Sequence, residues 1–162
     1  MASKNKKILR EVGFFVAMLF VAGLISGFVD LSPAKTKSKA EAKVVEISAD
    51  EFAQFVYDYK TGGDWKYLGD KPAVVDFYAD WCPPCRRLRP RLETLAAEYG
   101  EDIIVYSVDT DSAQQLSAVL GVRSLPTLFF IPKEGMPTVK VGLMTLNQLR
   151  RQVDSLLLGR ED

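Results

Sequence analysis

The 162-residue chain contains no histidine. Ser-His-Asp and Cys-His catalysis, helical His-x-x-x-His zinc sites and c-type haem attachment all need an imidazole, so each is closed to it. Cysteine is scarce too, with 2 residues. Two thiolates are half of the four ligands a structural zinc takes, so a metal site would require a second copy of the chain. An excess of charge of one sign is also lacking: 21 basic residues balance 21 acidic ones, and nothing steers the chain toward nucleic acid. No internal repeat or low-complexity tract is present.

What remains is 48% hydrophobic and 26% charged, the composition of a globular protein. A core drawn from roughly 115 residues is large enough to be stable without disulfide staples. The two cysteines are therefore not expected to hold a small fold together.

The opening stretch sets Lys4, Lys6, Lys7 and Arg10 before an uncharged, mostly apolar run from Val12 to Val29, bounded by Glu11 and Asp30. At ~1.5 Å per residue this run nearly matches a hydrocarbon core of about 30 Å. Residues 1–32 thus read as a membrane anchor or a signal peptide. Signal-peptide apolar regions run about 7–15 residues, which favours the uncleaved anchor. Ser32 and Ala34 nevertheless offer the small residues of a cleavage site. No cysteine directly follows the run, which excludes a lipoprotein. Lys35, Lys37, Lys39 and Lys43 equal in number the basic residues before the run, but those before it lie closer and form a signal-like start. The positive-inside rule then puts the N-terminus in the cytoplasm and the bulk of the chain outside. Residues 33–43, "PAKTKSKAEAK", read as a flexible tether, and the folded domain is expected over 44–162.

Within that domain "VVEI" reads as a short strand, and Ser48 with Glu51 has the form of a capping box. The helix it opens is expected to bury Phe52, Phe55, Val56 and Tyr59 and to end at Thr61-Gly62-Gly63. The nearly continuous apolar run Ala73–Ala79 reads as a strand covered on both faces. A helix follows from the cysteines to about Tyr99, then a strand "IIVYSVD", then a helix around "SAQQLSAVLG" stopped by Gly121. "TLFFI" and "TVKV" read as a hairpin joined by "PKEGMP". A last helix carries Leu146, Leu149, Val153, Leu156 and Leu157 on one stripe. The order β-α-β-α-β-α-β-β-α implies an α/β fold with a central mixed sheet and helices on both faces.

Cys82 then falls just past the carboxyl end of a central strand and at the start of a helix, where open α/β sheets place their chemistry. Pro83 and Pro84 are tolerated there because first-turn N–H groups have no intrahelical partners to lose. The spacing to Cys85 puts both sulfurs on one side of a turn, within reach of a disulfide. The partial positive charge of the helix N-terminus, with Arg86 and Arg87 nearby, is expected to depress the Cys82 pKa and make it a nucleophile toward disulfides. Cys85, one turn in, is expected to be more buried and to resolve the mixed disulfide. An inert bridge is the competing reading, but so short a loop restrains the unfolded chain only modestly. Asp76 sits mid-strand, facing with Val74 and Tyr78. Burial there raises a carboxylate pKa, making it a proton acceptor for Cys85; a hydrogen-bonded structural role is the alternative.

"VVDFYADWCPPCRRLRP", with "GVRSLPTLFFI" and "VKVG", resembles the thioredoxin family over about Val44 to Leu158. The resemblance implies the thioredoxin fold, with Cys82 as the attacking cysteine, Cys85 as the resolving one and Asp76 as the buried acid. It further implies that Trp81 flanks the site, that Pro90 kinks the active-site helix and that Pro126 is a cis-proline facing the disulfide. By the same resemblance Leu125 is expected to lend its backbone to an extended substrate segment, and Gly142 to complete that docking surface. Pro83 replaces the glycine of the usual C-G-P-C, and the pair Pro83-Pro84 is the position that tunes reduction potential. The lysine that commonly neighbours the buried acid is missing, with Val105 and Ser107 in its region. "TGGDWKYLGDK" is an enlarged loop at the pole opposite Cys82, where Trp65 and Tyr67 serve local packing or a remote contact. The spacing from Cys82 to Pro126 matches plain thioredoxins better than their enlarged relatives.

The expectation is therefore a thiol-disulfide oxidoreductase, extracytoplasmic and either tethered or released, needing no cofactor. It acts on protein disulfides or dithiols and is recycled by a membrane or soluble redox partner. A redox-inactive binding module or chaperone using the Trp81, Pro126 and Gly142 surface is the alternative from another class.

Overall fold

The computed structural model describes residues 43–160. The expected anchor or leader over 1–32, and the tether up to its last residue, lie outside the described residues. Among the described residues no helix is long and apolar enough to cross a membrane.

The expected order of elements is present: β1 Val45–Glu46, α1 Ala49–Phe55, β2 Ala73–Tyr78, α2 Pro83–Tyr99, β3 Ile104–Asp109, α3 Gln114–Val119, β4 Thr127–Ile131, β5 Thr138–Val141 and α4 Leu146–Gln152. The strands form one mixed sheet in the order β1-β3-β2-β4-β5. β1 and β2 both run parallel to β3, while β4 is antiparallel to β2 and to β5. Every residue of the central strand β2 is buried, as its unbroken apolar run requires.

Local chemistry accounts for the helix ends. At α1 the Glu51 N–H donates to Ser48 Oγ (3.2 Å) while the Ser48 N–H donates to Glu51 Oε2 (2.8 Å), so two otherwise unpaired donors are satisfied. Thr145 and Gln148 repeat the device at α4. α3 ends in a Schellman motif: Gly121, at φ +70°, donates to Ala118 O, and the next residue, Val122, donates to Ser117 O. The left-handed conformation explains the glycine there.

Two expectations about helices are corrected. α1 stops at Phe55, and Phe55 is 45% exposed rather than buried. The buried stripe narrows to Phe52 and Val56, four residues apart, and Tyr59 reaches the core from the turn beyond the helix. The last helix is not regular to its end, because beyond Gln152 it widens into a π turn over Val153–Leu157. Leu149, Val153 and Leu157, spaced by four, are buried, whereas Leu146 and Leu156 are only partly covered.

The sheet carries a core on each face. Phe52, Phe77, Leu116 and Phe129 lie in one. Val74, Leu88, Leu92, Leu128 and Leu149 lie in the other, which holds the inner face of α2. The enlarged loop before β2 packs on the first core, with the Tyr57 and Trp65 rings 4.6 Å apart and Tyr67 OH donating to Lys71 O (2.5 Å). It lies at the amino end of β2. The cysteines follow the carboxyl end, so the loop's aromatics serve packing far from them.

Candidate active site

β2 ends at Tyr78, and a short connection turns the chain into α2 with Cys82 as its N-cap. The cap backbone is extended (φ −85°, ψ 107°), which lets the side chain fold back over the first turn. Cys82 and Cys85 form a disulfide, S–S 2.07 Å with Cα atoms 5.3 Å apart. Cys82 Sγ also accepts the Cys85 N–H at 3.3 Å. Pro83 and Pro84 occupy the first two helical positions and have no N–H, so of the first three helical residues only Cys85 offers a donor to that sulfur. When the pair is reduced, this single N–H is the backbone group placed to stabilise a Cys82 thiolate.

Exposure does not rank the two cysteines as expected. Cys82 and Cys85 are each 3% exposed. The difference between the two residues is one of position, cap against first turn. Arg86 donates to Asp80 O at 2.9 Å, which anchors the connection between strand and helix.

Trp81 is 67% exposed, and its Nε1 donates to Asp111 Oδ2 at 2.9 Å. Asp111 belongs to the segment after β3, and no local signal in the sequence connects it with Trp81. Leu125 packs, partly buried, against the cluster that contains both cysteines. The Leu125–Pro126 peptide bond is cis. Gly142, at φ +100°, donates its N–H to Pro126 O at 2.8 Å, tying the end of β5 to the proline segment. Pro90 lies inside α2 and offers no N–H to the carbonyl one turn back.

Asp76 comes from the middle of β2. It is 4% exposed, its Oδ1 has no partner among the described residues, and it borders a cavity of about 40 Å³ that Cys85, Arg89 and Ser107 also line. Burial pushes its pKa up to about 7, against the opposing pull of the Arg89 guanidinium. At neutral pH such a carboxyl can take a proton or give one. Ser107 stands directly across from Asp76 in the parallel register of β2 and β3, and its buried hydroxyl is likewise unpartnered. Val105 faces the apolar core. Sequence reasoning noted Ser107 only as a replacement and missed Arg89 altogether; a residue one turn beyond Cys85 on α2 was the signal available.

A closed cysteine pair at the start of a helix, past the carboxyl end of a central strand and sharing a cavity with a buried acid, is the site of a thiol-disulfide oxidoreductase. The thioredoxin family model matches residues 43–155. The chain is 45% identical to a thioredoxin of Borreliella burgdorferi over 100 residues, 62% of this chain and 86% of that protein. It is 38% identical over 114 residues to the chloroplastic thioredoxin-like protein CITRX of Arabidopsis thaliana, covering 69% of this chain and 57% of that protein. The crystal structure of chloroplastic thioredoxin z superposes with a TM-score of 0.58 at 30% identity, covering 70% of this chain and 94% of that one. The chain belongs to the thioredoxin family, and its five-stranded mixed sheet flanked by helices is the thioredoxin fold.

Proposed function

We propose that this chain is a membrane-tethered, extracytoplasmic thioredoxin that exchanges disulfides with protein clients. The observation that carries the exchange chemistry is the Cys82–Cys85 disulfide capping α2 beside the exposed Trp81. In the reducing direction the Cys82 thiolate attacks a client disulfide. A Cys82–client bond forms, and the client's other sulfur leaves as a thiolate that takes a proton from solvent. Cys85 then gives its proton to Asp76 and attacks the Cys82 sulfur. The second client sulfur leaves, the client has gained two electrons, and the pair is oxidised. Run backward, the same steps hand the disulfide to a client dithiol.

Trp81, Leu125, Pro126 and Gly142 serve as the docking surface for an extended client segment. The direction of electron flow follows from the potential of the pair relative to its compartment. Recycling calls for a redox partner, a membrane electron carrier for a reductase or an oxidant for a disulfide maker. The location is supported by Lys4, Lys6, Lys7 and Arg10 preceding the apolar run from Val12 to Val29.

Insulin reduction by the full-length protein in detergent tests the chemistry. Cys82→Ser is expected to lose turnover entirely, and equal turnover in both proteins would leave the redox-inactive binding module as the better reading. A reporter that works only outside the cytoplasm, fused after Asp162, is expected to be active. Activity from a cytoplasm-only reporter at the same junction would overturn the location.

A further inference from the structure

The cavity beside Asp76 contains a charged side chain to which the exchange chemistry above gives no part. Arg89 lies one turn beyond Cys85 on α2 and lines the same cavity as Asp76, Cys85 and Ser107. Its guanidinium stands over the Tyr78 ring, 5.8 Å from the centroid, and Tyr78 is two residues along β2 from Asp76, on the same face. Tyr78 is in turn held by its hydroxyl, which donates to Glu46 Oε1 at 3.1 Å. The guanidinium is thereby kept on the cavity side of α2, although Arg89 is half exposed and Glu93 approaches it at 3.8 Å from the next turn. A cavity of about 40 Å³ has room for one or two waters. Two buried oxygens without partners, Asp76 Oδ1 and Ser107 Oγ, belong to residues that border it.

The other charged and titratable groups around Asp76 can be placed element by element. Tyr78 shares its strand, and Asp80 and Arg86 line the cavity from the connection and the start of α2. Glu46 comes from β1 and Asp109 from β3, both acting on Tyr78. Cys85 is the thiol itself. Arg86 is engaged with the Asp80 carbonyl. Arg89 is the cation whose field reaches Asp76 and favours its charged form.

We propose that Arg89 is a positioning residue for the resolving step: its guanidinium, clamped on Tyr78 beside the cavity, governs proton release from Cys85 to Asp76. The proposal rests on the exchange reading above for its consequence, though not for its first measurement. Removing the cation disfavours the carboxylate, so Asp76 holds its proton to higher pH and accepts one from Cys85 less readily near neutrality. No bond in the exchange changes, only the pH at which the step runs.

The test is a carboxyl-carbon NMR titration of Asp76 in the full-length oxidised protein, paired with the pH-rate profile for release of a client from Cys82. Arg89→Gln is expected to raise the Asp76 midpoint by about half to one pH unit and to slow release about three- to tenfold below that midpoint, with parent and variant converging near pH 9. Arg89→Lys keeps the charge and is expected to restore most of both. An Asp76 midpoint unmoved in Arg89→Gln, or moved equally in Arg89→Lys, overturns the proposal. The NMR midpoint is read whether or not the protein turns over, so failure of the exchange chemistry in the insulin assay is a separate result.

Discussion

Along β2, Val75 and Phe77 turn to one side of the sheet, and Val74, Asp76 and Tyr78 turn to the other. On the first side Phe77 meets Phe52 and Phe129, with ring centroids 6.0 and 5.2 Å away, in a cluster of aromatic and aliphatic side chains without a charged group. On the second, Val74 is sealed in an apolar core, but Asp76 borders a cavity and the Arg89 guanidinium stands over the Tyr78 ring. The same backbone thus supports two kinds of burial. The first contributes stability through area removed from water; the second gives some of it up to keep a titrating group next to a thiol.

Breaking the apolar side should have the largest effect. Phe77→Ala leaves a cavity in a fully buried aromatic cluster and is expected to cost about 3–5 kcal/mol in denaturant unfolding of the oxidised protein. The Asp76 titration should stay where it was. A cost below about 1 kcal/mol would mean that this side is not a closely packed core.

The polar side should respond to pH in the opposite sense from an ordinary paired carboxylate. The folded-state value of about 7 lies above the ordinary 3.8, so between those values the folded protein keeps a proton that the unfolded chain has released. Stability is therefore full below the lower value and falls as pH rises through the higher one, by on the order of 4 kcal/mol. Asp76→Asn removes that slope, so its advantage over the parent should grow by up to roughly this amount between pH 4 and pH 8. Urea midpoints at the two pH values measure it, and parallel changes in both proteins would contradict the burial of an unpaired carboxyl. The same variant should slow client release about 100-fold by removing the proton acceptor.

Ser107→Ala should have the smallest effect. It removes a buried hydroxyl without a partner and is expected to leave stability unchanged or raised by up to about 1 kcal/mol. A loss of more than that would show that the hydroxyl is held by a bond, through water or directly.

How far these differences could be read in advance depends on how local their causes are. The buried run of β2, the capping box at Ser48 and Glu51 and the cysteine pair at a helix start are all properties of a few consecutive residues, and each was visible as a pattern. The early end of α1 and the exposure of Phe55 were not visible, because residues three and four apart look equally inward until the width of the covering core is known. The π turn at Val153–Leu157 was not visible either, because Leu149, Val153 and Leu157 at spacings of four read as an ordinary helical stripe. The equal burial of Cys82 and Cys85 depends on the elements that surround the helix start, which spacing along the chain does not contain.

By itself, the order of residues determined the architecture, the placing of the two cysteines together at a helix start and the side of β2 that Asp76 shares with Val74 and Tyr78, since periodicity and chain order act over short distances. Only the tertiary structure decided what surrounds that carboxyl. Ser107 arrives through the parallel register of β3, Arg89 through the seating of α2 on the sheet, and Asp111 reaches Trp81 from the segment beyond β3. These groups come from separate elements, and a carboxyl's proton affinity depends on distances of a few ångströms among them, which no pattern along the chain contains.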